Sequence, residues 1–250
     1  MQQYFVISFF VGTSGRFIAQ LIWNSLYKDK QLQIITDFNS VHINNFKSSY
    51  NVEPISRFDD LIYRKFSFNE NTGLFTTHKL PNIDDYKIVC ARYPNTKFIV
   101  ISFTEDDLPE IIGNNMYKNG FANKTDTSAY NYMLFYNKIK NAYQIIYEKK
   151  YPYLDQVPPP DVMKNIYKVI FLDLIQKPER PYYTFIDPEI PDFIKERVLV
   201  LPYKQIFKVD FLLNSLASFL EIDNIKEQKI FAEEYIKGQQ ELVQQLMPWV

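Results

Sequence analysis

Residues 4–23 read YFVISFFVGTSGRFIAQLIW, and this stretch carries the strongest fold signal in the chain. The apolar run Tyr4–Val11 predicts a buried strand, and Phe17–Lys28 has the apolar spacing of an amphipathic helix. The residues between them, Gly12 to Arg16, predict a tight turn, because glycine adopts backbone conformations that other residues avoid. In an open α/β sheet, a strand–turn–helix unit places its turn at the carboxyl edge, where such proteins bind ligands.

The predicted turn is a candidate anion site, because backbone N–H groups and a helix N-terminus favour negative charge. The residues that we expect to contact an anionic cofactor group are Gly12, Thr13, Ser14, Gly15, Arg16 and Phe17. The simpler alternative is a strand-to-helix turn that binds nothing. The turn is not a Walker A loop, G-x-x-x-x-G-K-[ST], because Arg16 and Phe17 stand where lysine and a hydroxyl residue belong. This difference argues against a phosphoryl-transfer enzyme that depends on Mg²⁺.

Composition and charge exclude several classes of protein. The 250 residues fit one large domain, and the net charge of −1 gives no case for binding nucleic acid or an anionic membrane. Cys90 is the single cysteine, so no intrachain disulfide forms, and the two histidines, His42 and His78, make a metal site unexpected. The sequence has no apolar run long enough to span a bilayer and no basic segment typical of a signal peptide. We therefore expect a cytoplasmic protein.

The rest of the chain alternates between apolar runs and helical patterns. The further predicted strands are Leu32–Thr36, Leu74–Thr77, Phe98–Phe103 and Val198–Leu201. The further predicted helices are Phe58–Lys65, Asp84–Tyr93, Asp106–Lys118, Ser128–Lys150, Val162–Ile175, Val209–Leu220 and Ile225–Met247. This alternation predicts an α/β fold with three layers, α/β/α, around a central, mostly parallel sheet. We expect one domain over residues 1–250; the break at Pro158–Pro160 leaves open a helical C-terminal extension beyond it.

Four separated segments together resemble the sulfotransferase family. Ser14-Gly15 corresponds to part of the family's P-K-S-G-T-T loop, and Thr76–Pro81 resembles its K-[ST]-H-L-P segment with one inserted residue. Tyr93–Ile101 is similar to the strand entry P-x-A-K-x-I-Y-V. Val198–Tyr203 followed by Phe219–Ile222 is similar to the late pattern v-x-Y-E-D-L … F-L-G-I. The turn also resembles the short G-G-R-F-L loops of small phage and viral sulfotransferase-like proteins.

The resemblance implies a P-loop-like fold and the sulfate donor PAPS (3′-phosphoadenylyl sulfate), whose 5′-phosphosulfate would lie on the glycine turn. Arg16 would supply the positive charge that the family's loop lysine provides, although a surface salt bridge is the alternative for this residue. His78 is the candidate catalytic base, because an imidazole with a pKa near 6.5 is partly neutral at working pH. The alternative for His78 is a structural histidine.

Two functions remain open at this point. The first is transfer of a sulfuryl group from PAPS to a hydroxyl of a small molecule, glycan or protein. The second is a non-catalytic structural or interaction protein, for example a component of a virus particle. The residues that would grip the donor's 3′-phosphate align with Phe103 and Ile111, which keeps the second function open. In that case the predicted C-terminal helix, Ile225–Met247, is the candidate surface for a protein partner, although core packing is the default for its apolar stripe.

Overall fold

The computed structural model describes residues 3–10, 13–26, 52–54, 58, 72–108, 110–111, 140–150, 152, 162, 165–166, 169 and 185–246, without the side chains of 52–54, 72 and 242–246. The chain divides into two compact units. The first comprises Met1–Ile34, Ile43–Glu105 and Pro181–Ile236, and the second comprises Ile35–His42, Asp106–Arg180 and Lys237–Val250. The predicted break at Pro158–Pro160 and the residue Gly12 lie outside the described residues.

The first unit is built on a sheet of five parallel strands. The strands are β1 (Gln3–Ser8), β2 (Val52–Pro54), β3 (Thr72–Thr77), β4 (Thr96–Ser102) and β5 (Val198–Pro202). Their order across the sheet is β2-β3-β1-β4-β5, so β1 is central and the connection from β3 to β4 passes over it. Parallel strands end at the same edge, and the segments that follow β1 and β3 therefore meet at the carboxyl edge.

The described helices are α1 (Gly15–Leu26), α2 (Ile83–Arg92), α3 (Tyr203–Ile206), α4 (Val209–Leu220) and α5 (Lys229–Leu246). Short 3₁₀ helices cover Glu105–Asp107, Asp192–Arg197 and Asp223–Gln228. In the second unit residues 140–147 are helical, and Tyr143 in this segment is buried, as expected for an aromatic core face. None of the helices in these ranges combines the length and apolar character needed to cross a bilayer.

Alternate residues of β1 face opposite sides of the sheet, because side chains of a strand alternate with a period of two. Phe5 and Ile7 join a buried cluster with residues of α1 and α4, and Ala232 of α5 belongs to the same cluster. Tyr4 and Val6 join a second cluster with residues of α2 and of the 3₁₀ helix Asp192–Arg197. Helices thus cover both faces of a parallel sheet, which confirms the predicted α/β class and agrees with three layers.

Most described elements begin and end close to the predicted residues. The predictions for β3, β4, β5 and α2 are confirmed within two residues at each end, and α4 has the predicted bounds. The predicted final helix begins later than expected, at Lys229, because Asp223–Gln228 forms a 3₁₀ helix that buries Ile225. The predicted strand Leu32–Thr36 lies outside the described residues, as do the predicted helix Phe58–Lys65 apart from Phe58 and most of the three helices predicted over residues 106–175.

Candidate functional site

The turn between β1 and α1 is held by its own backbone. Thr13 donates both its N–H and its hydroxyl to the Phe10 carbonyl, at 3.1 and 2.7 Å. Ser14 lies in the left-handed region with a φ of 63°, and its carbonyl accepts from the amides of Phe17 and Ile18 at 3.0 and 3.3 Å. Within the described part of the chain, nothing accepts from the amides of the first two residues of α1, Gly15 and Arg16. A helix N-terminus of this kind favours an anion.

Gly15 is required by the close approach of a neighbouring ring. A Cβ atom at this position would lie 2.0 Å from Cγ of Phe9, so no side chain fits there unless the phenyl ring moves. Phe9 is buried, and its ring also meets the imidazole of His78 edge-on, with 4.5 Å between the ring centroids. Phe9 therefore connects the turn to the histidine.

His78 directly follows β3 and is oriented by the segment that follows β1. Its Nδ1 atom lies 3.2 Å from the Phe9 carbonyl oxygen. Because a carbonyl oxygen can only accept, Nδ1 carries the proton of the neutral ring, and Nε2 keeps its lone pair. The His78 side chain is exposed as a whole, although one side of its ring packs on Phe9. The arrangement leaves Nε2 able to accept a proton.

Three effects set the pKa of His78. Partial burial of the ring lowers it most, the hydrogen bond to the Phe9 carbonyl raises it, and the positive charge of Arg16 lowers it. The net result is a pKa below the ordinary value, so the ring is neutral at pH 7. The effect of Arg16 shows that α1 and the end of β3 bring these two predicted site residues close enough for their charges to interact.

Arg16 is exposed and has no ion-pair partner within the described ranges. Partial burial lowers the pKa of its guanidinium, but an arginine stays charged at neutral pH. The alternative of a surface salt bridge for Arg16 thus finds no support among the described residues. An unpaired cation at the N-terminus of α1 adds to the attraction that the helix itself has for an anion.

Helix α5 contacts the turn through a residue that the sequence analysis did not single out. The hydroxyl of Tyr235 donates to Oγ of Ser14 at 3.1 Å, and its ring stacks on Phe17 with 3.9 Å between centroids and 4° between planes. Burial raises the pKa of Tyr235 to about 12, against the lowering effect of the bond to Ser14. Tyr235 is therefore a protonated donor at any physiological pH. No local pattern could have identified it, because it lies 221 residues from its partner in sequence.

The two positions aligned with the family's 3′-phosphate element are apolar and closed to solvent. Phe103 is 4% exposed and Ile111 is fully buried, so neither could meet a phosphate. Glu105 and Asp106, which lie between them in sequence, are exposed carboxylates. No basic side chain replaces the missing arginine over residues 103–108 or 110–111.

Compared with known proteins, the chain matches no family model, no curated protein and no solved structure. Among the described residues, no group of three or more histidine, cysteine or acidic side chains could hold a metal ion. The geometry of the carboxyl edge is therefore the basis for a functional assignment.

Proposed function

We propose that the protein is a sulfotransferase-like enzyme that transfers a sulfuryl group from PAPS to a hydroxyl acceptor at the carboxyl edge of the sheet. The observation that carries this proposal is that Arg16, in the first turn of α1, and His78, directly after β3, lie within electrostatic range of each other at the carboxyl edge. One residue is a cation without an ion-pair partner among the described residues, and the other is a neutral imidazole whose pKa is lowered in part by that cation. A cation for the transferring group and a base for the acceptor are the two functions that this reaction needs.

Each residue has a separate role in the proposal. Arg16 and the amides of Gly15 and Arg16 bind the 5′-phosphosulfate and stabilise the charge that develops on it. His78 accepts the hydroxyl proton at Nε2, and Phe9 keeps the ring in the required tautomer through Nδ1. When bound, the donor supplies a sulfuryl group whose bond to the phosphate oxygen breaks as the acceptor oxygen binds sulfur, and the electron pair leaves with 3′,5′-adenosine diphosphate.

The residues fit one end of the donor better than the other. The turn offers an anion its charge and N–H groups, which suits the 5′ end. The buried Phe103 and Ile111 and the exposed carboxylates of Glu105 and Asp106 do not suit a 3′-phosphate. In the proposed reaction the protein therefore binds the donor through its 5′-phosphosulfate.

Calorimetric titration with 3′,5′-adenosine diphosphate tests the proposal. We expect the wild-type chain to bind it and Arg16→Ala to bind about tenfold more weakly, because a charge-assisted hydrogen bond contributes about 1.5 kcal/mol or more. Arg92→Ala is the matched control, since Arg92 is an exposed arginine in the last turn of α2, beside Tyr93 and remote from the carboxyl edge. Equal losses in the two variants would contradict a specific role for Arg16.

A non-catalytic protein is the second candidate, and one observation favours it. The phenyl ring of Phe9 explains Gly15 without a ligand, and Tyr235 already uses the hydroxyl of Ser14. The turn is then part of the core packing between α1 and α5. No heat of binding with millimolar 3′,5′-adenosine diphosphate, from a chain shown to be folded, would support this candidate over the enzyme.

A further inference from the structure

A groove of about 770 Å³ is lined in part by the connection from β3 to α2, which begins at His78. One wall is formed by residues 80–84, which begin two positions after His78, and the other by residues from 187 to 192, which lead into the 3₁₀ helix Asp192–Arg197. Both walls belong to the first unit. The volume lies within the usual range of sites for small ligands.

The groove carries an excess of negative charge. Four carboxylates line it, those of Asp84, Asp187, Glu189 and Asp192, and no lysine or arginine is among the described residues of its lining. Asp192 pairs with Lys195 at 2.8 Å, and Asp84 lies 3.7 Å from Lys87, one turn along α2. Asp187 and Glu189 have no basic partner within the described ranges. Two carboxylates in one groove that no described cation compensates attract a cation and repel an anion.

The groove also has an apolar part. Pro81 is buried, Leu80 and Ile190 are half-buried, and Ile83 at the start of α2 has 53% of its surface exposed. Such a lining suits a ligand with an apolar body and charged ends.

The N-terminus of α2 differs from that of α1 in its affinity for anions. The side chain of Asn82 accepts from the amides of Asp84 and Asp85, both at 2.9 Å, and the amide of Asn82 donates to Asp85 at 3.0 Å. These bonds form a capping box, so the amides of Asp84 and Asp85 are satisfied and acidic groups already surround the start of α2. Arg16 and the N-terminus of α1 thus favour an anionic ligand on one side of His78, and the carboxylates of the groove favour a cationic ligand on the other.

We propose that this groove binds the hydroxyl acceptor, and that the acceptor is a cationic molecule the size of a short basic peptide. The inference rests on the proposed sulfuryl transfer, in which the acceptor must bring its hydroxyl to His78. The separation of charge keeps the anionic donor out of the groove and excludes anionic acceptors, since like charges oppose binding.

Direct binding in the absence of donor tests the inference. The probes are acetyl-Arg-Tyr-Arg-amide and acetyl-Glu-Tyr-Glu-amide, titrated at low salt and followed by calorimetry. We expect the arginine peptide to bind more tightly and the double variant Asp187→Asn/Glu189→Gln to weaken its binding by up to about tenfold, the combined effect of two exposed charges. Asparagine is chosen because residue 187 has a φ of 67°, which asparagine tolerates.

The matched control removes two carboxylates from the other face of the sheet. Asp223→Asn/Glu234→Gln changes exposed residues on elements that pack in the cluster containing Phe5 and Ile7. This variant should leave the affinity for the arginine peptide unchanged. Tighter binding of the glutamate peptide, or equal losses in both double variants, would overturn the inference.

The peptide titration and the donor titration test different claims, so either one can fail without the other. Binding of 3′,5′-adenosine diphosphate without any preference for the arginine peptide would leave the proposed function standing and overturn the cationic acceptor. Groove-dependent binding of the arginine peptide by a chain that does not bind 3′,5′-adenosine diphosphate would support the cationic site and overturn the transfer reaction.

Discussion

The ionisation of His78 depends on neighbours that reach it from β1 and from α1. The Phe9 carbonyl fixes its tautomer, and the ring of Phe9 withdraws one side of the imidazole from water. Arg16 adds a repulsion that only the protonated ring feels. A neutral ring at pH 7 is what a general base requires, because a protonated imidazole has no lone pair to offer. These three residues therefore form one electrostatic unit, and a change in any of them should alter the pKa.

Replacement of Arg16 by alanine should raise the pKa of His78, because one of the two effects that lower it is removed. Proton NMR of the C2–H resonances measures this directly, with His78→Gln identifying which of the two histidine signals belongs to residue 78. Arg92→Ala should leave the titration where it is. A His78 signal that titrates at the same pH with and without Arg16 would show that the two charges do not interact.

The lowered pKa of His78 also predicts how the free energy of unfolding depends on pH. In the folded chain the pKa of His78 is lower than its unfolded value of about 6.5, so the unfolded state binds protons more readily. This contribution to stability is fully present above pH 6.5 and is lost as the pH falls through the unfolded pKa towards the folded one. Arg16→Ala should reduce the loss on the acid side.

At the scale of elements, α5 packs on α1 through Phe231 and Tyr235, which both stack on Phe17, and Tyr235 also contacts the turn. Tyr235 combines a stacked contact with Phe17 and a hydrogen bond to Ser14, and these two contributions can be separated by mutation. Ser14 is buried, so loss of its partner leaves a polar group without water. An exposed ion pair between Lys229 and Asp210 joins the same helix to the start of α4. We expect this pair to contribute less to stability than the contacts of Tyr235.

Tyr235→Phe should lower the free energy of unfolding by about 1 kcal/mol, because it removes the hydrogen bond and keeps the stacked ring. Tyr235→Ala should lower it by about 3 kcal/mol or more, since it also removes a buried aromatic contact and leaves a cavity. Lys229→Ala should change it less than either tyrosine variant, as expected for an exposed ion pair. Urea denaturation gives all three values. Equal effects of Tyr235→Phe and Tyr235→Ala would show that the stacked ring contributes nothing beyond the hydrogen bond.

At the scale of the whole molecule, the sequence predicted the elements that carry apolar runs and missed the contacts that join distant segments. β1, β3, β4 and β5 are apolar enough to be recognised, whereas β2 is only Val-Glu-Pro and carries no such run. The proximity of His78 to the turn follows from the parallel sheet, because β1 and β3 end at the same edge. The role of Phe9 beside Gly15 and the bond between Tyr235 and Ser14 depend on side-chain packing, which no local pattern encodes.

The distribution of charge over the chain also predicts how a nucleotide would be recognised. The 5′ end of a donor has Arg16 and the amides of α1 available, while the positions expected to hold a 3′-phosphate are buried and apolar, next in sequence to exposed acids. We therefore expect 5′-adenosine monophosphate and 3′,5′-adenosine diphosphate to bind with affinities within about threefold of each other, since a phosphate without partners contributes little to binding free energy. Calorimetry with both nucleotides on one preparation measures the ratio. Arg16→Ala should weaken the two nucleotides to the same degree, because it acts at the phosphate that they share. A preference of about a hundredfold for the diphosphate, equal to about 2.7 kcal/mol, would require a cationic site for the second phosphate and would contradict recognition through the 5′ end.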